Sequence, residues 1–254
     1  YRRLGIVPSA TDRLRVSAAA HLWAATAADA RRAAEAVAIR IVPGEGTRCW
    51  ILNNLPRPVA SVIDLRLELP SGVGVHGGAP EVTAHGLEGD LRLWGHDVGL
   101  EDCRGNIKLH AEYYGRVVAR RVRGRVEVDA FGAPVSLEGC RADVNLRTVV
   151  SDAKVVDFAG RCTFRSIEGS IDLAGACSSG MWLRTKRGNI AVRGLLMAES
   201  SYELRTKEGD IAIALDPDSD CGLNAESHAG AVIWTHPAQK LVQGDDPQIG
   251  RAHV

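Results

Sequence analysis

The feature of this chain that most constrains its fold is an internal repeat of about 18 residues. One apolar pattern recurs in VTAHGLEGDLRL from Val82, VGLEDCRGNIKL from Val98, VVARRVRGRVEV from Val117, VSLEGCRADVNL from Val135 and AKVVDFAGRCTF from Ala153. It continues less regularly from Ile171, Ile190, Ile211 and Val232, with steps of 16, 19, 18, 18, 18, 19, 21 and 21 residues. A unit this short cannot bury its own apolar face, so neighbouring units must stack on one another.

Each repeat contains two segments with strand-like alternation. Counting its first residue as position 0, positions 0, 2, 5, 9 and 11 are apolar or small, whereas positions 1, 3, 8 and 10 are mainly polar. This alternation predicts two short strands per repeat, each with one buried face. Glycines mark the bends between them, at position 7 or two residues before a repeat begins: Gly89, Gly105, Gly124, Gly160, Gly169, Gly188, Gly209 and Gly230.

The repeat predicts an all-β protein, a single-stranded parallel β-solenoid of about eight turns with right-handed winding. An antiparallel hairpin array is the alternative. It is disfavoured because the two strands of a repeat have their apolar residues in the same phase and no two-residue Asn-Gly or Asp-Gly turn joins them. We predict an N-terminal β-rich cap over residues 1–75, the solenoid over 76–240 and an irregular C-terminal tail over 241–254.

The segments outside the repeat predict how the solenoid ends. Thr26 and Asp29 form an N-cap pattern that predicts a short helix from about Ala27 to Ala36, followed by the strands AIRIV, WILNN and SVIDLRLEL. This cap would cover an exposed end strand. After Trp234 the pattern stops without a recognisable cap, which leaves end-to-end self-association open.

The cysteines fit the repeat as core residues. Position 5 reads as an inward column: Leu87, Cys103, Val122, Cys140, Phe158, Ala176 and Leu195. Cys103 and Cys140 would lie two turns apart, about 9.6 Å, which is too far for a disulfide. Cys162 falls in the inward column at position 9, while Cys49, Cys177 and Cys221 fall outside the regular inward positions. Since no CxxC pair occurs, we expect packing thiols and no metal site.

Charge and motif content exclude several function classes. The 31 basic and 31 acidic residues cancel, so we predict no nucleic-acid partner. No apolar run is long enough for a membrane span. The chain has no GxSxG, HExxH, Walker or Rossmann pattern, and its histidines lack metal-ligand spacing. We therefore expect no cofactor, no catalytic residues and no enzyme.

A polysaccharide-active or carbohydrate-binding β-helix protein is the alternative to a non-enzymatic module. Such proteins use clustered carboxylates and exposed aromatic rings. The nearest carboxylates here do not share one column: Asp102, Asp129, Asp157 and Asp172. Of the aromatic residues, Trp182 is one candidate, Tyr113 and Tyr114 lie on a bend, and Trp234 lies at an inward position.

The candidate binding residues are three arginines at position 6. Arg104, Arg123 and Arg141 would stack in a row, whereas position 3 alternates in charge through Glu101, Arg120 and Glu138. Like charges aligned at strand spacing repel each other. The row therefore either extends into solvent or forms a strip that binds an acidic polymer or protein.

Several motifs carry a family resemblance. They are LELPSG (Leu67 to Gly72), VTAHGLEGDL (Val82 to Leu91), RTKRGNIAV (Arg184 to Val192) and RTKEGDIAI (Arg205 to Ile213). Together they resemble the bacterial adhesin-like domains of unknown function, over about Leu65 to Trp234. The resemblance implies a bacterial solenoid of the cell envelope or surface, with no catalytic residues. We expect a non-enzymatic structural or interaction module that binds protein or envelope polymer through its faces or ends. The six cysteines leave a reducing, cytoplasmic location open.

Overall fold

The structure, a computed structural model, consists mainly of parallel strands that stack from one turn to the next. The structure describes residues 3–11, 13–23, 26, 28–29, 31, 38–43, 49–54, 60–175, 177–197, 200–219, 221–235, 242–243 and 249–253. The helix predicted from about Ala27 to Ala36 lies largely outside these residues. Its described part is helical, and the Asp29 N–H donates to Thr26 Oγ1 at 3.1 Å, as in an N-cap.

One short strand per turn builds the first face of the solenoid. Its strands are β7 (Glu81–His85), the second halves of β8 (Leu91–Glu101) and β9 (Arg104–Arg120), β11 (Val135–Glu138), β13 (Ala153–Val156), β15 (Ile171–Ala174), β17 (Ile190–Gly194), β19 (Ile211–Leu215) and β21 (Val232–Thr235). All pair in parallel, and the predicted repeat starts lie directly opposite one another. The solenoid is therefore confirmed, and the hairpin array is excluded.

The other strand of each turn builds the second face. Its strands are β6 (Val75–Gly78), the first halves of β8 and β9, β10 (Arg123–Ala130), β12 (Arg141–Val150), β14 (Ala159–Glu168), β16 (Cys177–Arg187), β18 (Ser201–Glu208) and β20 (Gly222–Ala229). From β10 onward the second-face strand is the longer one of its turn. These strands are also parallel, so the inward residues Leu91, Ile107, Val126, Val144 and Cys162 form one continuous column.

The N-terminal segment extends the first face. Its strands are β1 (Arg3–Pro8), β2 (Arg15–Trp23), β3 (Ala38–Pro43), β4 (Cys49–Asn54) and β5 (Ala60–Leu69), of which β3, β4 and β5 confirm the three predicted strands. Strand β1 lies between β7 and β5 and is parallel to both, while β2 pairs antiparallel with β5. An antiparallel strand thus ends this face, and β3 and β4 form a separate hairpin.

The C-terminal end is also covered by an antiparallel strand, which the sequence did not predict. Residues 241–254 contain β22 (Val242–Gln243) and β23 (Ile249–His253). Strand β23 pairs antiparallel with β20, so the last strand of the second face has its outer edge occupied. Covering an edge in this way opposes pairing with a second molecule.

The predicted inward column at position 5 is confirmed over its regular part. Leu87, Cys103, Val122, Cys140 and Phe158 are each at most 3% exposed, and Ala176 lies outside the described residues.

In the next turn the predicted inward residue is wrong. Leu196 is 1% exposed, whereas Leu195 is only half-buried. Gly194, at φ 132°, still belongs to β17, so the chain turns inward one residue later than the repeat predicts.

Stacked glycines form the bend before each first-face strand in the later turns. Gly169, Gly188 and Gly209 have φ of 132°, 141° and 142°, where side chains are strained. A Cβ on Gly209 would lie 2.3 Å from the carbonyl oxygen of Gly188, and one on Gly188 would lie 2.2 Å from that of Gly169. The bend thus requires glycine for its conformation and for the close approach of neighbouring turns.

Buried hydroxyl groups tie the second face to this bend. Thr185 Oγ1 donates to the carbonyl oxygen of Gly169 at 3.2 Å, Thr206 Oγ1 to that of Gly188 at 3.0 Å, and Ser227 Oγ to that of Gly209 at 2.8 Å. All three hydroxyl residues are 1% exposed. Each bond links one turn to the bend of the turn before it.

Replacing Thr206 by valine is expected to lower the free energy of unfolding by about 1–2 kcal/mol, because the hydrogen bond from the buried Thr206 hydroxyl to the Gly188 carbonyl is lost. Thr163→Val is the matched control, since Thr163 points outward on β14 and should change stability by less than about 0.5 kcal/mol. Urea unfolding followed by circular dichroism measures both. If the two variants had equal urea unfolding midpoints, the buried hydroxyl groups would not stabilise the bends.

Candidate anion-binding site at the first corner

The corner between the two faces has one backbone conformation in successive turns. The residue after each first-face strand has positive φ whether or not it is glycine, with 54° at Asp102, 50° at Arg121, 61° at Gly139 and 51° at Asp157. One buried residue follows, and then the second-face strand begins. Non-glycine residues in this region carry strain of about 1–2 kcal/mol, so packing and pairing must hold them.

The predicted arginine row lies immediately after this corner. Arg104, Arg123 and Arg141 face one another in register on β9, β10 and β12, and all three are exposed. Their backbone N–H groups donate to the carbonyls of the buried column one turn below, at 2.8 Å for Arg104 and 2.9 Å for Arg123 and Arg141. The backbone under the row is therefore fixed. Glu88 precedes the row and Ala159 follows it.

The three arginines of this row lack the carboxylate partners that their neighbours have. Arg120 pairs with Glu138 at 3.1 Å, which confirms the predicted charge alternation at position 3. By contrast, no carboxylate in the described part of the chain lies within 4.0 Å of a row guanidinium. Three like charges about 4.8 Å apart thus remain uncompensated by direct contact.

Asp102 is the carboxylate at this corner, and Arg121 engages it. Arg121 donates from Nε to Oδ1 at 2.7 Å and from Nη2 to Oδ2 at 2.8 Å, and from Nη2 to Glu101 at 2.6 Å. The hydrogen bonds from Arg121, with the charges of Arg121, His85 and Arg123, lower the pKa of Asp102. Asp102 therefore stays ionised in mild acid, and its pairing with Arg121 is lost only as the pH falls below the usual carboxyl range.

Cys103 and Cys140, which occupy the same repeat position, have equivalent surroundings, and both thiols are buried. Cys103 Sγ contacts the carbonyl oxygens of Ala84 and Glu101 at 3.6 and 3.4 Å, and Cys140 contacts the corresponding two carbonyls at 3.6 Å each. Burial raises the pKa of both thiols, which disfavours the reactive thiolate.

The remaining cysteines divide into two groups. Cys162 is buried as predicted, and Cys221, although it stands outside the regular inward positions of the repeat, is also buried at 4% exposed. The side chains of Cys49 and Cys177 lie outside what the structure describes.

The carboxylates considered for catalysis are spread over the molecule. Asp102 and Asp157 occupy the same corner position three turns apart, whereas Asp129 lies on the second face. Asp172 lies on the first face and pairs with Arg193 at 2.6 Å. Two of the four are thus held in ion pairs, and no two lie on neighbouring turns of one column.

The aromatic candidates differ in exposure. Tyr113 and Tyr114 are 52% and 99% exposed, and the Tyr113 ring meets that of Phe131 edge-on with centroids 4.2 Å apart. Trp234 packs partly buried against the core, as predicted, and Trp182 lies half-buried on the second face.

A second arginine column, which the sequence reasoning missed, lies on the second face of the later turns. Its members are Arg147, Arg165, Arg184 and Arg205. Each is followed by a threonine or serine whose hydroxyl makes an inward hydrogen bond. The recurring Arg-Thr or Arg-Ser pair marks this column in the sequence. Because the later repeats are longer, the arginine stands at position 12 in the first two members of the column but at positions 13 and 15 in the last two.

Within the described ranges, no helix is long and apolar enough to cross a membrane, and no group of three or more His, Cys, Asp or Glu residues is placed to hold a metal ion. Comparison with protein-family models, curated proteins and solved structures found no match. The resemblance to the adhesin-like domains therefore stays a prediction, and the site rests on its own geometry.

Proposed function

We propose that this chain is a non-enzymatic, adhesin-like β-solenoid that binds an acidic partner, either a protein segment or an envelope polymer. The observation that carries the proposal is the row of Arg104, Arg123 and Arg141. These side chains are exposed, aligned on a rigid backbone and lack direct carboxylate partners, while Arg120 and Arg121 beside them are paired. An anion bridging two or three guanidinium groups would relieve their mutual repulsion.

The contrast between the two faces supports the same proposal. On the first face the outward arginines Arg120 and Arg193 are each neutralised by a carboxylate on a neighbouring turn. On the second face Arg123 and Arg125 come from a single strand and neither is within 4.0 Å of a carboxylate in the described chain. The zero net charge thus conceals a local basic patch at the start of β10, and a local field of this kind attracts acidic chains.

The triple variant Arg104→Gln, Arg123→Gln, Arg141→Gln is expected to weaken binding to polygalacturonate or poly-L-glutamate at least about tenfold at low salt, because each exposed contact contributes up to ~1 kcal/mol. Its free energy of unfolding should be unchanged or higher by a few tenths of a kcal/mol, since like-charge repulsion is removed. Biolayer interferometry and urea unfolding measure the two quantities.

A matched control removes the same charge from paired arginines. The paired-arginine control is Arg120→Gln, Arg187→Gln, Arg193→Gln, whose members bind Glu138, Glu168 and Asp172. This control should keep most of the affinity and lose a little stability. The triple variant of Arg104, Arg123 and Arg141 is called the corner variant, and its three arginines form the corner site. If the control lost as much affinity as the corner variant, binding would depend on overall charge and the corner site would be rejected.

The exposed rings of Tyr114 and Trp94, at 99% and 44%, favour a polysaccharide-active or carbohydrate-binding protein as the second candidate. Incubation with polysaccharides and measurement of new reducing ends separates the two functions. Cleavage that is abolished by Asp129→Asn would establish an enzyme and remove the first proposal.

A further inference from the structure

A second row of arginines, without carboxylates in direct contact, runs along the second face of the later turns. Arg147, Arg165 and Arg184 lie directly opposite one another on β12, β14 and β16, and all are exposed. No carboxylate of the described residues lies within 4.0 Å of any of the three, whereas the next member, Arg205, pairs with Glu203 at 2.7 Å. The unpaired part thus spans two strand spacings, about 10 Å.

The middle member of this row is restrained by an aromatic ring, and the acidic residues of the preceding turn make no direct contact with the row. The Arg165 guanidinium lies over the Trp182 ring, 4.5 Å from its centroid, which limits the conformations of that side chain. On the preceding turn Asp129 lies directly opposite Arg147 in register but is not within 4.0 Å of its guanidinium group, and Glu127 is engaged by Lys108 at 2.7 Å. A restrained guanidinium loses less conformational entropy when it binds an anion.

A column without charge runs beside these arginines. Asn145, Thr163 and Trp182 lie two residues before the three arginines on the same strands and face one another in register. All three are half-buried, and neither the Asn145 amide nor the Thr163 hydroxyl has a hydrogen-bond partner among the described residues. The surface therefore presents cations on one side and free hydrogen-bonding groups with an aromatic ring on the other.

We propose that this surface binds a linear acidic polysaccharide along the solenoid axis, with about one uronic acid unit per turn. The carboxylates of successive sugars would meet Arg147, Arg165 and Arg184, and their hydroxyl groups would meet Asn145 and Thr163. One sugar unit is about as long as one strand spacing of ~4.8 Å, so a chain lying along the solenoid axis has about one unit per turn and its carboxylates lie within reach of the long arginine side chains. The inference rests on the proposed binding of acidic partners but uses a different set of residues.

The neutral column disfavours other acidic chains on this surface. An extended acidic peptide places side chains of one side about 6.8 Å apart and carries no hydroxyl groups to meet Asn145 and Thr163. Single-stranded nucleic acids are bound through successive aromatic stacking platforms. Here the column offers one such ring, Trp182, and Arg165 already lies over it.

The test uses the full chain and oligogalacturonates of one to six units, with isothermal titration calorimetry at low salt. We expect affinity to rise steeply up to about three or four units and then to level off, because the unpaired row has three members. Arg147→Gln, Arg165→Gln, Arg184→Gln should weaken trimer binding by about tenfold to a hundredfold. The paired-arginine control should leave it within about threefold.

A second variant separates sugar recognition from charge. Thr163→Val should weaken oligogalacturonate binding severalfold and leave poly-L-glutamate binding unchanged, since the hydroxyl contacts the sugar only. The triple variant of Arg147, Arg165 and Arg184 is called the second-row variant. If it bound trigalacturonate as tightly as wild type does, the inference would be overturned. It would also fall if oligothymidylate or poly-L-glutamate bound to this row as tightly as the oligogalacturonates, or if the paired-arginine control lost as much affinity as the second-row variant.

The two proposals fail in different ways. If only the corner variant binds acidic polymers more weakly than wild type, the second row is rejected and the proposed function stands. If only the second-row variant binds them more weakly, the corner site is rejected and this inference stands. If the wild-type chain binds none of the acidic polymers, both are rejected.

Discussion

Cys140→Asp is expected to lower the free energy of unfolding by about 3–5 kcal/mol at pH 7, enough to unfold much of a marginally stable domain. Cys140 is 1% exposed, between Val122 and Phe158 of the same inward column. Its polar contacts are the carbonyl oxygens of Ala119 and Glu138, which are acceptors. A carboxylate there would be repelled by both oxygens and would lack a donor.

The loss should depend on pH in a defined direction. Burial raises the folded-state pKa of the introduced carboxyl above its unfolded value of about 3.9. The folded protein then binds more protons than the unfolded one, so the stability of the variant falls as the pH rises above about 4. Unfolding at pH 4 and pH 7 should therefore show the larger deficit at pH 7.

Cys140→Val is the matched control, since it keeps the size and apolar character of the side chain and should cost less than about 1.5 kcal/mol. Thermal unfolding followed by circular dichroism compares the two variants with wild type. If aspartate and valine were tolerated equally, residue 140 would not point into the core and the inward column would be wrong.

Gly209→Ala is expected to cost about 3 kcal/mol or more, because a methyl group fits neither the conformation nor the space. Residue 209 has φ of 142°, and its Cβ would lie 2.3 Å from the backbone oxygen of Gly188. Backbone on a neighbouring turn cannot move aside as a flexible side chain does. The strain should therefore spread into the stack that includes Gly169 and Gly188.

The control for this variant is Gly222→Ala, on strand β20. A Cβ there meets nothing within 4 Å, so the change should alter stability by less than about 0.5 kcal/mol. Urea unfolding midpoints measure the difference. A Gly209→Ala protein as stable as Gly222→Ala would show that the turns do not approach as closely as the structure has them.

The inward columns of the regular turns could be predicted because they are a local property of the repeat. Leu87, Cys103, Val122, Cys140 and Phe158 recur at one position, and stacking at constant step places equal positions above one another. The arginine row at Arg104 follows from the same rule. Because each repeat forms one turn, residues at the same repeat position lie above one another and form a row along the solenoid axis.

Prediction failed where the turn length changes. In the 21-residue turn that starts at Ile190, the inward residue is Leu196 and not Leu195. The extra residue in the 19-residue turn that starts at Ile171 hid the second row, because Arg147 and Arg165 stand at position 12 but Arg184 at position 13. Only the strand pairing shows that these arginines are neighbours.

Local sequence patterns account for the class of fold, the two strands per turn, the glycine bends and the burial of Cys103 and Cys140, because apolar periodicity and backbone sterics act within a single repeat. The meeting of distant strands, with β1 between β5 and β7 and β23 on β20, is visible only in the folded chain. The same holds for which arginines lie near a carboxylate. Pairing between distant segments depends on the path of the whole chain, so no local pattern records it.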